Sequence, residues 1–203
     1  MWRLIILILA FGNVAVAADA PPVCATAAQA GQVAAAYVDA SRPPALPALA
    51  ATRLAVPEAV VLSALQPAVA AGASAAGFQQ VWKSLQAWDE AVTLVLKGGS
   101  VFEIRGRIPA GIPSEKSQFF NLQSEGAGLG GHLRPDLLGA LYAVNLVNAK
   151  GSVRGVTFVD PRGEGVFGVY LPEGAEPSAA LLAQFEATRA LITSLPRVCG
   201  PAG

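Results

Sequence analysis

The side chain best able to do chemistry in this 203-residue chain is its only histidine, His132. A neutral imidazole binds a metal ion through one ring nitrogen. One histidine excludes zinc sites built from several histidines, and it leaves few bases for a catalytic triad. His132 is therefore a candidate metal ligand, and a structural histidine held by hydrogen bonds is the alternative interpretation.

Other groups that could carry chemistry are few. The sequence has no G-x-S-x-G nucleophile motif. Apart from His132, the side chains able to ligate iron are three tyrosines, because Met1 is expected to leave with a signal peptide and the two cysteines are expected to pair. These tyrosines are Tyr37, Tyr142 and Tyr170.

The run Gly126–Gly131 matches the letters of the dinucleotide-binding motif G-x-G-x-x-G. That motif needs a helix at its last glycine, inside a βαβ unit, so that the helix N-terminus receives the pyrophosphate. Here Pro135 follows at once among strands of the antiparallel type. The run instead predicts a turn or bulge where the backbone approaches something closely.

Composition excludes several partners. Lys plus Arg equals Asp plus Glu at 14 each, so no overall field favours nucleic acid or an anionic membrane surface. Two short helices between residues 46 and 65 resemble a helix-turn-helix, but only Arg53 is basic there, whereas phosphate binding needs several cations on one face. The length fits one domain with additions.

The N-terminus has the pattern of a secretory signal peptide. Arg3 precedes the apolar run Leu4–Phe11, and Ala15–Ala17 forms a small-residue cleavage site. We expect residues 1–18 to be removed and the mature protein to be periplasmic or secreted, without a membrane span. An uncleaved anchor is the alternative, although the apolar run is far shorter than the roughly 20 residues that span a bilayer. A lipoprotein is disfavoured because Cys24 lies well beyond that run.

The predicted export determines which redox state is expected for the two cysteines. Cys24 lies near the start of the mature chain and Cys199 near its end. An oxidising compartment favours a bridge between them. Two free thiols or an intermolecular bridge are the alternatives.

Hydrophobic periodicity predicts the elements that position these residues. Helical spacing indicates helices at 25–39, 46–56, 57–65 and 78–88, with a loop-like segment at 70–77. Alternation then predicts strands at 92–97, 102–108, 118–123, around His132, and at 138–147, 153–159 and 166–171. A helix is the alternative for 138–147, strand 102–108 is expected to be half buried, and a helix from Pro177 or Ser178 closes an α+β domain.

Three groups of residues, in this order, resemble one protein family. They are Gly98–Gly106 (GGSVFEIRG) followed by Pro109, then Phe119–Leu122 (FFNL), and then Gly131–Arg134 (GHLR). In order and spacing they resemble the ChuX/HutX family of haem-utilisation carriers. The similarity covers roughly residues 46 to 193.

The resemblance implies a fold and a division of the chain. The fold is α+β, with N-terminal helices followed by an antiparallel, split-barrel-like β-sheet and a C-terminal helix. The resemblance places a haem-carrier domain at 46–194, and the signal peptide at 1–18, a helical extension at 19–45 and a tail at 195–203 lie outside the family pattern. It also implies a homodimer and non-catalytic, reversible binding of haem or a related tetrapyrrole for iron acquisition.

The same resemblance implies the site. His132 would ligate the haem iron, and no other metal is expected. The side chains that could line the ring site or meet the propionates are Phe102, Arg105, Arg107, Phe119, Phe120 and Arg134. Lys97 and Phe119 replace polar residues that family members often carry, so two alternatives stay open. The first alternative is a dimeric module of the same fold that does not bind haem and serves in protein interaction or binds another apolar ligand. The second, less favoured, is a haem-degrading enzyme.

Overall fold

The computed structural model describes residues 21–37, 41–42, 44–65, 67–97, 99–124, 128–174 and 176–200. The predicted signal peptide at 1–18, Gly98 of the family-like run 98–106, and Gly126 and Ala127 of the predicted turn or bulge lie outside these ranges. The helices are α1 (Ala27–Tyr37), α2 (Pro47–Leu54), α3 (Glu58–Ala64), α4 (Phe78–Leu85) and α5 (Ala179–Ser194). The strands are β1 (Ala70–Ser74), β2 (Ala91–Lys97), β3 (Ser100–Gly106), β4 (Ala110–Pro113), β5 (Phe120–Gln123), β6 (Gly131–Leu133), β7 (Ala140–Asn148), β8 (Gly151–Val159) and β9 (Gly165–Tyr170).

Two antiparallel sheets organise the chain. The larger has six strands in the order β1-β7-β8-β9-β2-β3, and the smaller has three in the order β4-β5-β6. With helices before the sheets and α5 after them, the predicted α+β class is confirmed. The segment 138–147 forms a strand, as expected, and not the alternative helix.

The larger sheet buries both faces against other elements. Consecutive strand residues point to opposite faces, so Leu141 and Tyr142 of β7 enter two different apolar clusters. The first cluster contains α4, α5 and the inner side of the smaller sheet, and Trp82 and Trp88 are fully buried in it. The second lies under α3, where Leu62 meets the other face. The smaller sheet is thus packed on the core through its inner face, and none of these clusters covers its outer face in the described ranges.

The segment predicted to be a loop at 70–77 is instead strand β1 followed by a short 3-10 turn, so that prediction is wrong. Its small residues are needed for close pairing with β7. Gly72 lies opposite Tyr142, and a Cβ atom at Gly72 would come within 2.3 Å of the tyrosine ring. The small side chains that suggested a loop instead allow this strand to pack closely against β7.

Strand β3 also differs from expectation. It was predicted to be half buried, but it lies at the edge of the larger sheet with Val101 and Phe102 50% and 56% exposed. Its pairing with β2 leaves its other edge without a strand partner among the described residues. Its side chains are exposed because the apolar clusters on the two faces of the sheet reach β2 but include no residue of β3. Strand β4 lies between the predicted strands 102–108 and 118–123, where no element was predicted.

The N- and C-terminal segments meet on the body of the domain. Cys24 and Cys199 form a disulfide across 175 residues of sequence, which confirms the predicted pairing. In the described ranges no single helix is long and apolar enough to cross a membrane; only α2 and α3 taken together pass that test, and they are bent by 110°.

Candidate functional site

The pairing of β5 with β6 places His132. Asn121 of β5 lies directly opposite His132 of β6 in the register. The His132 ring nitrogen Nδ1 is 2.8 Å from the Asn121 side-chain oxygen Oδ1, within hydrogen-bond distance. His132 is an exposed residue on the outer face of the smaller sheet, so its imidazole is held through one nitrogen while the residue stays accessible to solvent.

An aromatic ring and a cation stand beside this imidazole. The centroids of the Phe119 and His132 rings are 5.7 Å apart, and Phe119 is 42% exposed. The Arg134 guanidinium carbon lies 5.6 Å from the centre of the same Phe119 ring, a cation–π distance. The structure therefore brings three predicted site residues, His132, Phe119 and Arg134, together on the surface. We call this group the His132 cluster.

Asp136 completes the cluster. Arg134 donates from Nε and Nη2 to the two carboxylate oxygens of Asp136, at 2.8 and 2.5 Å. Hydrogen bonds from Arg134 hold the pKa of the Asp136 carboxyl below its usual range and raise that of the Arg134 guanidinium. The cation is consequently already paired before any ligand arrives.

Ile112 adds apolar surface to the same face. It is paired with Asn121 across β4 and β5, so Ile112, Asn121 and His132 form one row on the outer side. Ile112 is 50% exposed. The outer face thus presents an imidazole, an aromatic ring, an aliphatic side chain and a guanidinium.

Phe120 occupies the opposite face. It is 4% exposed and packs edge-on against Phe78, with ring centroids 5.2 Å apart. Its ring lies across Gly111, where a Cβ atom would approach to 2.0 Å. Phe120 therefore fastens the smaller sheet to the core, and the structure does not bring it to the His132 surface.

The remaining predicted site residues lie on or after β3. Phe102 is on the face of β3 opposite to Arg105. Arg105 pairs with Glu103 at 3.0 Å, and Arg107 lies 3.4 Å from Asp89. Within the described ranges, no ring contact, hydrogen bond or ion pair joins any of these three to the His132 cluster.

Two features were missed from sequence. A groove of about 740 Å³ runs beside the cluster and is lined by Phe78, Leu137, Tyr142 and Asp136, so Asp136 belongs to both the groove and the cluster.

The second feature is the buried carboxyl of Glu58, which is 5% exposed. Burial raises its pKa to about 7 despite a hydrogen bond from Thr157. A buried glutamate of this kind at the start of α3 has no distinctive sequence pattern.

The donor set of the His132 cluster suits haem in kind. An imidazole nitrogen is a common axial ligand of haem iron, aromatic and aliphatic side chains suit the ring, and a guanidinium suits propionates. No three His, Cys, Asp or Glu side chains converge as a metal site within the described ranges. The cluster therefore fits a metal already held by a porphyrin better than a free ion.

Comparisons with known proteins agree with this architecture. A model of the family described as haem utilisation ChuX/HutX matches residues 72–188. The intracellular haem transport protein HutX of Vibrio cholerae is 27% identical over 130 residues, which are 64% of this chain and 66% of HutX, slightly under two thirds of its length.

Solved structures show the same fold. A protein from Agrobacterium tumefaciens superposes with a TM-score of 0.66 at 26% identity, over 81% of this chain and 90% of that one. The haem-binding protein ChuX superposes with a TM-score of 0.67 at 15% identity, over 82% and 99% of the two chains, and at that identity it supports the fold alone. The resemblance seen in the sequence is confirmed: the chain belongs to the ChuX/HutX haem-utilisation family.

Proposed function

We propose that the protein is a non-catalytic carrier that binds haem, or a related tetrapyrrole, reversibly on the outer face of its smaller sheet. The observation that carries the proposal is the exposed His132 imidazole, held through Nδ1 by Asn121 and flanked by Phe119 and Arg134. Family membership and the likeness to the haem transport protein HutX support it.

Each side chain of the cluster has a distinct part. When bound, haem supplies an iron that accepts an axial nitrogen, a flat apolar ring and two carboxylates. His132 offers the nitrogen, and Phe119 and Ile112 offer apolar contact on the same face. Arg134 can turn from Asp136 to a propionate, because a guanidinium binds either carboxylate in the same bidentate way.

The openness of this face favours carriage over breakdown. Phe119 and Ile112 are 42% and 50% exposed, so the protein would cover one side of a flat ligand and leave the other accessible. A ligand held in this way can pass to an acceptor without the site first opening. Oxidative haem breakdown is the competing enzymatic hypothesis, and release of bilin or carbon monoxide in the presence of a reductant would support it.

Spectroscopic titration of haem into the mature protein tests the proposal. We expect a saturable shift of the Soret band that weakens at least tenfold in His132→Ala, since that variant loses the axial ligand. Phe119→Ala should also weaken binding, by about three- to tenfold, through lost apolar contact. Gln123→Ala, on the same face of β5, is the matched control. Absence of saturable binding, or equal binding by His132→Ala, would contradict the proposal.

We also propose a homodimer. An edge strand with open backbone groups is a template for pairing with another chain, and β3 has that position with Val101 and Phe102 exposed on its two faces. Sedimentation should show a dimer that Phe102→Lys weakens. If Phe102→Ala lowers haem affinity as much as Phe119→Ala, the second copy contributes Phe102 to the site.

Export is a further part of the proposal. It rests on Arg3, the apolar run Leu4–Phe11 and the small residues Ala15–Ala17. Expression in a bacterium with a secretion system should yield a periplasmic or secreted protein. Its intact mass should correspond to cleavage after Ala17 or Ala18, and a cytosolic full-length product would contradict this.

The second candidate function is an interaction or apolar-ligand module that has lost haem. The groove lined by Phe78, Leu137 and Tyr142 favours it, because this groove offers apolar surface without including His132. A stable dimer whose melting temperature is indifferent to haem would support this alternative.

A further inference from the structure

We infer that Asn121 is a positioning residue that selects the ring tautomer of His132 and leaves Nε2 as the nitrogen free to bind iron. This deepens the proposed function and rests on it for the role of the ligand. The tautomer itself is a property of the haem-free protein, and it can be measured without haem.

The geometry of the contact points to Nδ1 as the ring nitrogen that carries the proton. The Asn121 atom that faces His132 is the carbonyl oxygen Oδ1, 2.8 Å from Nδ1. A carbonyl oxygen only accepts hydrogen bonds, so Nδ1 must donate and therefore carries the hydrogen of the neutral ring. Nε2 is then the unprotonated nitrogen, with its lone pair available.

The sheet holds this contact in place. Asn121 and His132 are directly paired residues of two antiparallel strands, so their side chains leave the same face at the distance of cross-strand neighbours. Phe119 limits the imidazole on a further side, with its ring inclined by 54° to that of His132. Arg134 in turn covers Phe119. The imidazole is exposed, yet its orientation is set by its neighbours.

An amide in this position has a specific chemical consequence. Metal-bound histidines usually donate their other ring nitrogen to a hydrogen-bond acceptor, which orients the ring and raises its basicity. A neutral amide oxygen is a weaker acceptor than a carboxylate, so it orients the His132 ring while strengthening it as a ligand only slightly. Asn121 would therefore give a ligand that is well placed but moderately strong, which suits a carrier that must release its cargo.

The first experiment reads the tautomer in the haem-free protein. Nitrogen NMR of the His132 ring at about pH 8, where an ordinary histidine is neutral, should show protonated Nδ1 and bare Nε2 in the wild type and in Asn121→Asp. Asn121→Val removes the acceptor and should give a mixture of tautomers. Gln123→Val, which removes an amide from the same face of the same strand, is the matched control and should leave the tautomer unchanged.

The second experiment reads the consequence for binding. Loss of such a hydrogen-bond partner lowers metal affinity about 10- to 100-fold, so haem should bind Asn121→Val at least tenfold more weakly than Gln123→Val. Asn121→Asp should bind haem as tightly as the wild type or more tightly, with a lower iron reduction potential, because a carboxylate makes the imidazole more basic. Should Asn121→Val fold poorly, Asn121→Ala serves in its place.

The outcomes separate this inference from the proposed function. An Nδ1–H tautomer in the wild type that Asn121→Val loses supports the positioning role, and a tautomer unaffected by Asn121→Val overturns it. A changed tautomer with unchanged haem affinity also overturns the role toward iron. If no variant binds haem while the tautomer still depends on Asn121, the proposed carrier function fails and the tautomer assignment stands.

Discussion

Arg134 is engaged on two sides before any ligand binds. Its guanidinium lies over the Phe119 ring and is hydrogen-bonded through two nitrogens to the Asp136 carboxylate. A haem propionate would have to compete with Asp136 for the same donors. We therefore expect the Asp136 carboxylate to limit the affinity of this surface for anionic ligands.

Removing that competitor should strengthen haem binding. Asp136→Asn keeps the shape of the side chain but removes its charge, so we expect haem affinity to rise by up to about fivefold, the scale of an exposed ion pair. Arg134→Leu should lower it, and both effects should vanish with haem dimethyl ester, which lacks propionate charges. Glu103→Gln, which frees Arg105 in an exposed pair on β3, is the matched control in the titration. Equal effects on haem and its ester would contradict a propionate contact.

Sequence patterns predicted several of the residues that form the site, but not how these residues are arranged in space. His132, Phe119 and Arg134 were identified from the chain, whereas the contacts from Asn121 and Asp136 were not. Alternation assigns neighbouring residues to opposite faces without saying which face is inside, so Phe119 and Phe120 were both expected in the pocket. Only the packing of Phe120 against Phe78 separates their roles. The partner of His132 depends on the register of β5 and β6, which the sequence pattern does not determine.

At the scale of elements, the smaller sheet is anchored by the packing of Phe120 over Gly111. Substitution of Gly111 by alanine would place a Cβ atom 2.0 Å from the Phe120 ring, so either β4 or the ring must move. Overpacking of this kind costs about 1–3 kcal/mol. Gly111→Ala should lower the free energy of unfolding by that amount in denaturant titrations, and it should also weaken haem binding because the His132 face moves.

Gly31→Ala is the control for that prediction. Gly31 lies in α1, and among the described residues no atom outside its own stretch of helix lies within 4 Å of the position that its Cβ would take. Alanine is favoured over glycine in a helix by about 1 kcal/mol, so this variant should be neutral or more stable. If both variants behave alike, the Phe120 contact does not anchor the sheet.

Periodicity predicted most elements because their apolar residues alternate clearly. Strands β2, β7, β8 and β9 and helix α5 were expected close to their observed positions. The failures have physical causes. Strand β1 was mistaken for a loop because its residues are small, and the same small volume allows Tyr142 to approach it closely. In β3 the alternation was present, but burial depends on a covering layer that lies elsewhere in the chain.

The buried carboxyl of Glu58, at the start of α3, should make folding stability depend on pH. Burial raises its pKa from the ordinary 4.5 to about 7, and the nearby Glu164 charge adds to the rise. The folded state therefore keeps a proton that the unfolded chain has released, so stability is greatest below about pH 4.5 and falls as the pH rises to about 7. The total loss is about 3 kcal/mol.

Glu58→Gln tests this prediction. An amide of the same shape cannot ionise, so the variant should be more stable than the wild type at pH 8 by up to about 3 kcal/mol, and similar to it at pH 4. Thermal melts from pH 4 to pH 8 measure the difference. The exposed carboxyl variant Glu90→Gln is the control. A wild-type stability that does not fall between pH 5 and pH 7 would contradict a raised pKa.

At the scale of the whole molecule, the two ends of the chain are held at one edge of the larger sheet. The backbone nitrogen of Ser74, at the end of β1, donates to the Pro196 carbonyl at 3.0 Å, and Ala73 forms a bridge with Arg197. The Cys24–Cys199 disulfide joins this C-terminal segment to the N-terminal one. The segments thereby cover the edge of β1, while the opposite edge, at β3, has no strand partner in the part of the chain that the structure describes.

Loss of the disulfide should destabilise the fold without removing the haem site. Closing a loop between residues 175 apart restricts the unfolded chain by up to about 5 kcal/mol on the chain-entropy model. The double variant Cys24→Ser with Cys199→Ser should therefore melt well below the oxidised wild type, and reduced wild type should match the variant. Haem affinity at low temperature should be unchanged, because the His132 cluster is held by β5, β6 and the core beneath Phe120. An unchanged melting temperature would show that the β1 contacts alone hold the ends, and lost haem binding by a folded variant would show that the bridge supports the site.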